Sequence, residues 1–133
     1  MRIPRRKPPP APPPPAADGP PLGVDVSSTG YGAIVTIAGE LELATAPRVR
    51  AALESEVLER AEAVVVDLKE VTFMDSSGLA ALLNFERDMG MRSRRLAIAC
   101  PEGAARLLLD VTGVAERLDL HPSRADAEAA AAG

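Results

Sequence analysis

A strand gives way to a helix within residues 64–79, which read VVVDLKEVTFMDSSGL. The valines at its start form a continuous apolar run, which is typical of a strand covered on both faces. Ser76 and Ser77 stand where the following helix begins. Unpaired backbone N–H groups and the positive end of the helix dipole converge at such a position, so it suits an anion such as a phosphate. The stretch therefore predicts a strand–helix junction that carries a switch.

The segments on either side of this junction alternate between strand and helix patterns. The predicted order is strand, strand, helix, strand, helix, strand, helix, strand, and the first two strands form a hairpin. The predicted strands are 24–28, 33–41, 64–68, 95–100 and 117–120, and the predicted helices are 45–61, 76–90 and 101–113. This order indicates an α/β fold: a small mixed sheet of four to five strands with about three helices packed mainly on one side.

The apolar residues of each predicted helix fall at spacings that place them on one face. Thr45 is the expected N-cap of the first helix, and Pro47 stands at an early helical position, where its missing N–H is tolerated. The expected inward residues are Val49, Leu53 and Val57 in the first helix, Leu79, Leu82, Leu83 and Met89 in the second, and Leu107, Leu108 and Val111 in the third.

Residues 1–23 differ in composition from the rest of the chain. Ten of the 13 prolines lie between Pro4 and Pro21, together with four basic residues. Such a composition cannot bury apolar surface and favours polyproline II. We therefore expect a disordered proline-rich arm at 1–23, a folded domain at 24–122 and an alanine-rich tail at 123–133. Four interpretations of the arm stay open: a ligand for a proline-binding groove, a weak anion-seeking tail, an extension without a selected role, and the product of a wrongly chosen start codon.

The charge balance argues against nucleic acid as a partner. Without residues 1–23 the chain keeps 11 of its 15 basic and 18 of its 19 acidic residues, a net charge of −7. The chain also has two Phe, one Tyr and no Trp, whereas nucleic-acid binding favours a basic face with aromatic side chains. No stretch reaches the roughly 18 apolar residues of a membrane span. We expect a cytoplasmic protein that binds neither nucleic acid nor membrane.

The sequence offers little for catalysis or metal binding. Cys100 and His121 are the sole residues of their types. Cys100 ends an apolar strand and is expected to be a small buried hydrophobe, and His121 has no Cys, Asp or Glu at metal-ligand spacing. A nucleophilic serine needs a nearby base, and neither His121 nor Lys69 is placed to supply one. We expect no catalytic residue, no metal and no cofactor.

Two stretches of the chain resemble one known family. Residues 37–47 read IAGELELATAP and residues 64–79 contain the string MDSSGL, and both resemble the STAS domain of anti-sigma factor antagonists. The segment RLLLDVTG at 106–113 resembles the third helix of that family. The resemblance covers roughly residues 24–121. The family usually has an aspartate where this chain has Glu42.

This resemblance implies a function in partner switching. In the family, the serine directly after the aspartate is phosphorylated by an anti-sigma factor that is also a serine kinase, so the phosphorylation site falls on Ser76. Asp75 is expected to position the hydroxyl, Ser77 to start the helix, and Gly78 to leave a partner's backbone unobstructed. Glu40, Glu42 and Thr45 correspond to a loop that lies beside the phosphorylated serine in the family, and Asp75, Ser77, Gly78, Glu42 and Thr45 are the expected partner-binding residues.

The same resemblance implies the partners and the state of the free protein. The unphosphorylated form binds the anti-sigma factor kinase and frees the sigma factor, phosphorylation releases it, and a phosphoserine phosphatase restores the serine. A module of this size is expected to be a monomer when free. Two other interpretations stay open: a STAS adaptor subunit of a membrane lipid or anion transporter, and serines that only cap a helix.

Overall fold

The computed structural model describes residues 21–133. The predicted arm at 1–23 therefore lies almost wholly outside the described residues. Its last two residues belong to the domain, because the first strand begins at Leu22 instead of Val24. Leu22 and Gly23 pair with Gly39 and Ala38 of the second strand, and this pairing extends the hairpin.

The described chain forms five strands, five α-helices and a 3₁₀ helix. The strands are β1 (Leu22–Ser28), β2 (Ala33–Leu41), β3 (Ala63–Met74), β4 (Arg95–Ala99) and β5 (Leu120–His121). The helices are α1 (Ala46–Leu53), α2 (Glu56–Arg60), α3 (Ser76–Met91), α4 (Ala104–Val111) and α5 (Arg124–Ala132), and the 3₁₀ helix is Val114–Arg117.

The five strands form one mixed sheet in the order β1-β2-β3-β4-β5. β1 pairs antiparallel with β2, and the other neighbours are parallel. The central strand β3 is buried at every position from Ala63 to Leu68, because helices cover both of its faces. The predicted α/β fold is confirmed.

The larger core lies between one face of the sheet and helices α1, α3 and α4. Alternate residues of β2 and β3 point into it, as the two-residue period of a strand requires. Its buried members include Val35, Ile37, Val64, Val66 and Leu68 from the sheet and Val49, Leu82, Phe85 and Leu109 from the helices. The helices lie mainly on this side of the sheet, as predicted.

The opposite face of the sheet is covered by α5. Ala127 and Ala131 of α5 pack against Ala63, Val65, Ala97, Ala99 and Ile34 of the strands. Small side chains on both surfaces allow the helix to approach the sheet closely. The segment expected as an alanine-rich tail thus contains a packed helix, and the folded domain extends beyond residue 122.

The first predicted helix is divided in two. α1 ends at Leu53, and Ser55 has an extended backbone (ψ 154°) before α2 begins at Glu56. The break changes the helical phase, so Leu58 is buried, whereas Val57, expected to point inward, is 39% exposed. The prediction for Val57 was wrong because it assumed one continuous helix.

The buried face of α4 also differs from the prediction. Leu107 and Val111 are 63% and 71% exposed, and the buried residues are Ala105 and Leu109. Three consecutive leucines at 107–109 allow more than one apolar stripe. The small side chain of Ala105, one turn before Leu109, lets the helix pack closely on this stripe.

Candidate functional site

The site lies at the start of α3, at the edge of the sheet where the parallel strands end. Asp75 occupies the N-cap position with an extended backbone (φ −112°, ψ −172°). Its carboxylate Oδ1 accepts hydrogen bonds from the backbone N–H of Ser77 at 2.8 Å and of Gly78 at 3.1 Å. Asp75 therefore satisfies donors that a helix leaves unpaired at its first turn.

The same carboxylate holds the loop that follows β2. Asp75 Oδ2 accepts a hydrogen bond from the N–H of Leu43 at 3.1 Å, and the Asp75 N–H donates to the Leu41 carbonyl at 3.2 Å. The loop 42–45 and the start of α3, which are separated by about thirty residues in sequence, are thereby joined. The resemblance placed this loop beside Ser76, and the structure brings the two segments together.

Thr45 supports the loop from inside. It is 3% exposed, its Oγ1 donates to the Glu40 carbonyl at 2.6 Å, and the same oxygen accepts from the Glu42 N–H at 2.9 Å. Thr45 stands at the N-cap of α1 as predicted, but its side chain makes no capping hydrogen bond to that helix. Because it is buried, Thr45 shapes the loop and presents no side-chain surface to a partner.

Gly78 is buried and faces the domain interior. A Cβ atom built on it would lie 2.5 Å from the Leu41 carbonyl oxygen and 2.6 Å from Leu41 Cγ. The expectation that Gly78 leaves room for a partner is therefore corrected. Its missing side chain leaves room for Leu41, so that α3 begins directly against the end of β2.

Ser76 and Ser77 differ in their surroundings. Ser76 is exposed, whereas Ser77 is half-buried and its N–H is bound to Asp75. The expected anion site for a phosphate on Ser76 is altered by this contact, because the Ser77 and Gly78 donors already bind a carboxylate. Ser76 directly follows this carboxylate-bearing residue in the chain.

Acidic and apolar residues lie on the two segments that meet next to Ser76, the loop after β2 and the end of β3. Glu42 is half-buried and its Oε1 accepts from the Ala44 N–H at 3.1 Å. Leu43 is 72% exposed and Phe73 is 45% exposed, which the sequence analysis did not predict. We call Glu42, Leu43, Phe73, Asp75 and Ser76 the Ser76 surface. Its two exposed apolar residues suit contact with another protein surface.

The other chemically active side chains lie elsewhere. Cys100 is 1% exposed, as expected, and burial raises the pKa of its thiol, so the nucleophilic thiolate is disfavoured. His121 lies in β5, with its Nε2 2.9 Å from Asp119 Oδ1. Across residues 21–133, no three His, Cys, Asp or Glu side chains are grouped to hold a metal ion.

A helix that crosses a bilayer needs about 20 mostly apolar residues. The longest, α3, has 16 residues. Among the described residues, no helix combines the length and the apolar character needed to cross a membrane.

Comparison with known proteins gives consistent matches. The STAS domain family model matches residues 25–127. The anti-sigma-B factor antagonist of Listeria monocytogenes is 28% identical over 86 residues, which cover 65% of this chain and 75% of that protein. The anti-sigma F factor antagonist of Paenibacillus polymyxa is 28% identical over 95 residues, 71% of this chain and 81% of that protein. The crystal structure of an anti-sigma factor antagonist from Mycobacterium paratuberculosis is similar with a TM-score of 0.79 and 26% identity, over 85% of this chain and 96% of that chain.

Proposed function

Because this chain belongs to the STAS domain family, we propose that it is an anti-sigma factor antagonist whose partner binding is controlled by phosphorylation of Ser76. Its relatives in Listeria monocytogenes and Paenibacillus polymyxa carry the name of anti-sigma factor antagonists. The observation that carries the assignment to Ser76 is its exposure directly beside the capping residue Asp75. The chain acts by binding and not by catalysis.

The unphosphorylated Ser76 surface is the binding form. Leu43 and Phe73 offer exposed apolar area next to the serine hydroxyl, and Asp75 and Thr45 fix the shape of the surface through the backbone. The partner is an anti-sigma factor with serine kinase activity, which releases its sigma factor when it binds here. The protein acts as a cytoplasmic monomer in its free form.

Phosphorylation switches this surface by charge. A phosphate adds about −1.5 to −2 charges at neutral pH. Two donors of the first helical turn, the N–H groups of Ser77 and Gly78, are already bound by Asp75 and do not offset that charge. The phosphate therefore repels an acidic or desolvated partner surface, while the core of the domain is unchanged. A phosphoserine phosphatase returns the protein to its binding form.

The test is phosphorylation by the anti-sigma factor kinases of the source organism in the presence of ATP. We expect phosphate on Ser76 in the parent and in Ser77→Ala, and none in Ser76→Ala. Ser77→Ala is the matched control, because it keeps the N–H that binds Asp75. Ser76→Asp is expected to bind the kinase more weakly than the parent. Phosphate on Ser77 alone would contradict the assignment to Ser76 and identify Ser77 as the regulated residue.

Pull-down of the full chain tests the class of partner. We expect an anti-sigma factor kinase to be recovered with the parent and with Ser76→Ala, and to be lost with Ser76→Asp. Recovery of a membrane transporter subunit, with equal amounts from all three proteins, would instead support the adaptor function and contradict the switch.

A further inference from the structure

Residues 1–20 join the domain at the edge of the sheet that carries the Ser76 surface. β1 runs antiparallel to β2, so the start of β1 lies beside the end of β2. The Glu40 N–H donates to the Pro21 carbonyl at 3.0 Å, which fixes the point where the preceding chain enters.

The strand register places this entry point close to Phe73. Glu40, which binds Pro21, is paired with Phe73 across the β2–β3 ladder. Neighbouring strands are about 4.8 Å apart, so the backbone of Phe73 lies roughly 10 Å from that of Pro21. Residues that precede Pro21 thus start within a few side-chain lengths of the Ser76 surface.

The charges of the two parts are opposite. Residues 1–20 contain Arg2, Arg5, Arg6 and Lys7 but one acidic residue, a net charge of +3, whereas the whole chain carries −4, so residues 21–133 carry −7. Glu40, Glu42 and Asp75 lie along the edge nearest to the entry point. Arg48 also lies at the entry point, where it donates to the Leu22 carbonyl at 3.1 Å, so the acidic groups that attract the basic residues are those along the edge beyond it.

The apolar character is complementary as well. Phe73 and Leu43 are exposed large apolar side chains on this edge. Proline-rich segments bind protein surfaces through their rings, and aromatic side chains are the usual contact. Seven of the eight residues from Pro8 to Pro15 are prolines, and they follow directly on the basic cluster.

We propose that residues 2–15 of the same molecule bind back onto the Ser76 surface and compete with the partner for it. The fourteen residues between Arg6 and Pro21 can span up to about 50 Å, well beyond the distance required. Because the segment is tethered, it acts at a high effective concentration even though each contact is weak. The contact between the two parts of the chain does not depend on the proposed function. Its expected effect, slower phosphorylation of Ser76, does rest on that function.

The contact is tested on the full chain by paramagnetic relaxation. A nitroxide is attached to Ala11→Cys in a Cys100→Ala background, so that a single thiol is labelled. We expect loss of amide signal at Leu43, Phe73 and Ser76, and unchanged signal at Ser93, which lies before β4 at the other end of the sheet. Salt of about 1 M, which shortens the Debye length to about 3 Å, should restore the signals.

Charge variants identify the groups responsible. One variant has Gln in place of the four basic residues Arg2, Arg5, Arg6 and Lys7, and the other combines Glu40→Gln with Glu42→Gln. Both should restore the amide signals near Ser76. The double variant Glu54→Gln, Glu62→Gln is the matched control, because both side chains are exposed and lie at the opposite end of the sheet. In this variant the amide signals should be as weak as in the parent. Equal signal loss in the parent and in the arginine and lysine variant would overturn the proposal.

Mixed samples separate contact within one molecule from contact between two. Signal loss in isotope-labelled protein mixed with a separate spin-labelled copy would assign the contact to a second molecule and overturn the proposal as stated. With the kinase, the arginine and lysine variant should be phosphorylated faster than the parent. If neither protein is phosphorylated, the proposed function fails, while the relaxation result still decides whether the contact exists.

Discussion

The carboxylate of Asp75 accepts a hydrogen bond from the backbone N–H of Leu43 at 3.1 Å. With its other oxygen it caps α3. One side chain therefore fixes both segments that border Ser76. Any partner that recognises this surface depends on a geometry set by Asp75.

Asp75→Asn should separate the two functions of this side chain. The amide oxygen can still accept from Ser77 and Gly78, but the NH₂ group then faces the Leu43 N–H, donor against donor. We expect amide hydrogen exchange at Leu43 to become faster. Asp75→Ala loses the cap as well and should lower the free energy of unfolding by about 1 to 2 kcal/mol. Unchanged exchange at Leu43 in Asp75→Asn would contradict this account of the loop.

Gly78→Ala should destabilise the domain. The added Cβ would lie 2.5 Å from the Leu41 carbonyl oxygen and 2.6 Å from Leu41 Cγ, so the backbone must shift. We expect a loss of about 1 to 3 kcal/mol in urea unfolding. Gly90→Ala in the same helix is the control: nothing lies within 4 Å of its Cβ, so it should raise stability by about 0.5 to 1 kcal/mol. Equal effects of the two substitutions would show that α3 does not start against Leu41.

Thr45→Val should loosen the loop at its base. The substitution removes the hydroxyl that binds Glu40 and Glu42, and it leaves two backbone groups without that partner. We expect a loss of about 1 to 3 kcal/mol of stability and faster exchange of the Glu42 amide. Thr45→Ser keeps the hydroxyl and should retain the protection of that amide. If Thr45→Ser exchanges as fast as Thr45→Val, packing of the methyl group matters more than the hydrogen bonds.

Leu109→Ala and Leu107→Ala should have very different effects on stability. Leu109 is fully buried, so its truncation leaves a cavity and should cost about 2 to 5 kcal/mol. Leu107 is 63% exposed, and its truncation should change stability by less than about 0.5 kcal/mol. Urea unfolding of both variants measures the difference. A larger loss of stability in Leu107→Ala than in Leu109→Ala would show that the predicted face of α4, with Leu107 inward, is the buried one.

Tyr31→Phe should weaken the attachment of α5. The Tyr31 hydroxyl donates to Glu128 Oε2 at 3.0 Å, while Arg124 binds the other oxygen of that carboxylate. We expect a loss of about 0.5 to 1.5 kcal/mol at neutral pH, measured by urea unfolding. Because Arg124 is retained, Glu128 stays paired in the variant.

The pH dependence of this contact has a defined sign. Burial, and then the hydrogen bond to Glu128, raise the pKa of Tyr31 above its ordinary value of 10.0. The neutral phenol is therefore favoured in the folded state, and its contribution is present below pH 10 and lost as the pH rises through the folded pKa. The difference in stability between the parent and Tyr31→Phe should shrink above that pH. The chain has one Tyr and no Trp, so absorbance titration in native and denaturing solution reports this group directly.

Two errors in the sequence analysis have the same physical origin. The spacing of apolar residues along a helix identifies its possible apolar faces. It does not say which of those faces packs against the sheet. In α4 the buried stripe is Ala105 and Leu109, and Leu107 and Val111 of the alternative stripe face solvent. In the first helix the break at Ser55 changed the phase, so Leu58 replaced Val57 in the core.

The sequence by itself determined the order of the five strands and of the helical segments between them, the buried central strand and the position of the serine pair at the start of α3. These features depend on local propensity and on periods of two and 3.6 residues, which a single chain displays directly. Only the tertiary structure decided what surrounds Ser76. The contact of Asp75 with Leu43, the close approach of Gly78 to Leu41 and the packing of α5 on the sheet join residues far apart in sequence. Such contacts depend on strand register and helix placement, which the whole domain sets when its core is packed.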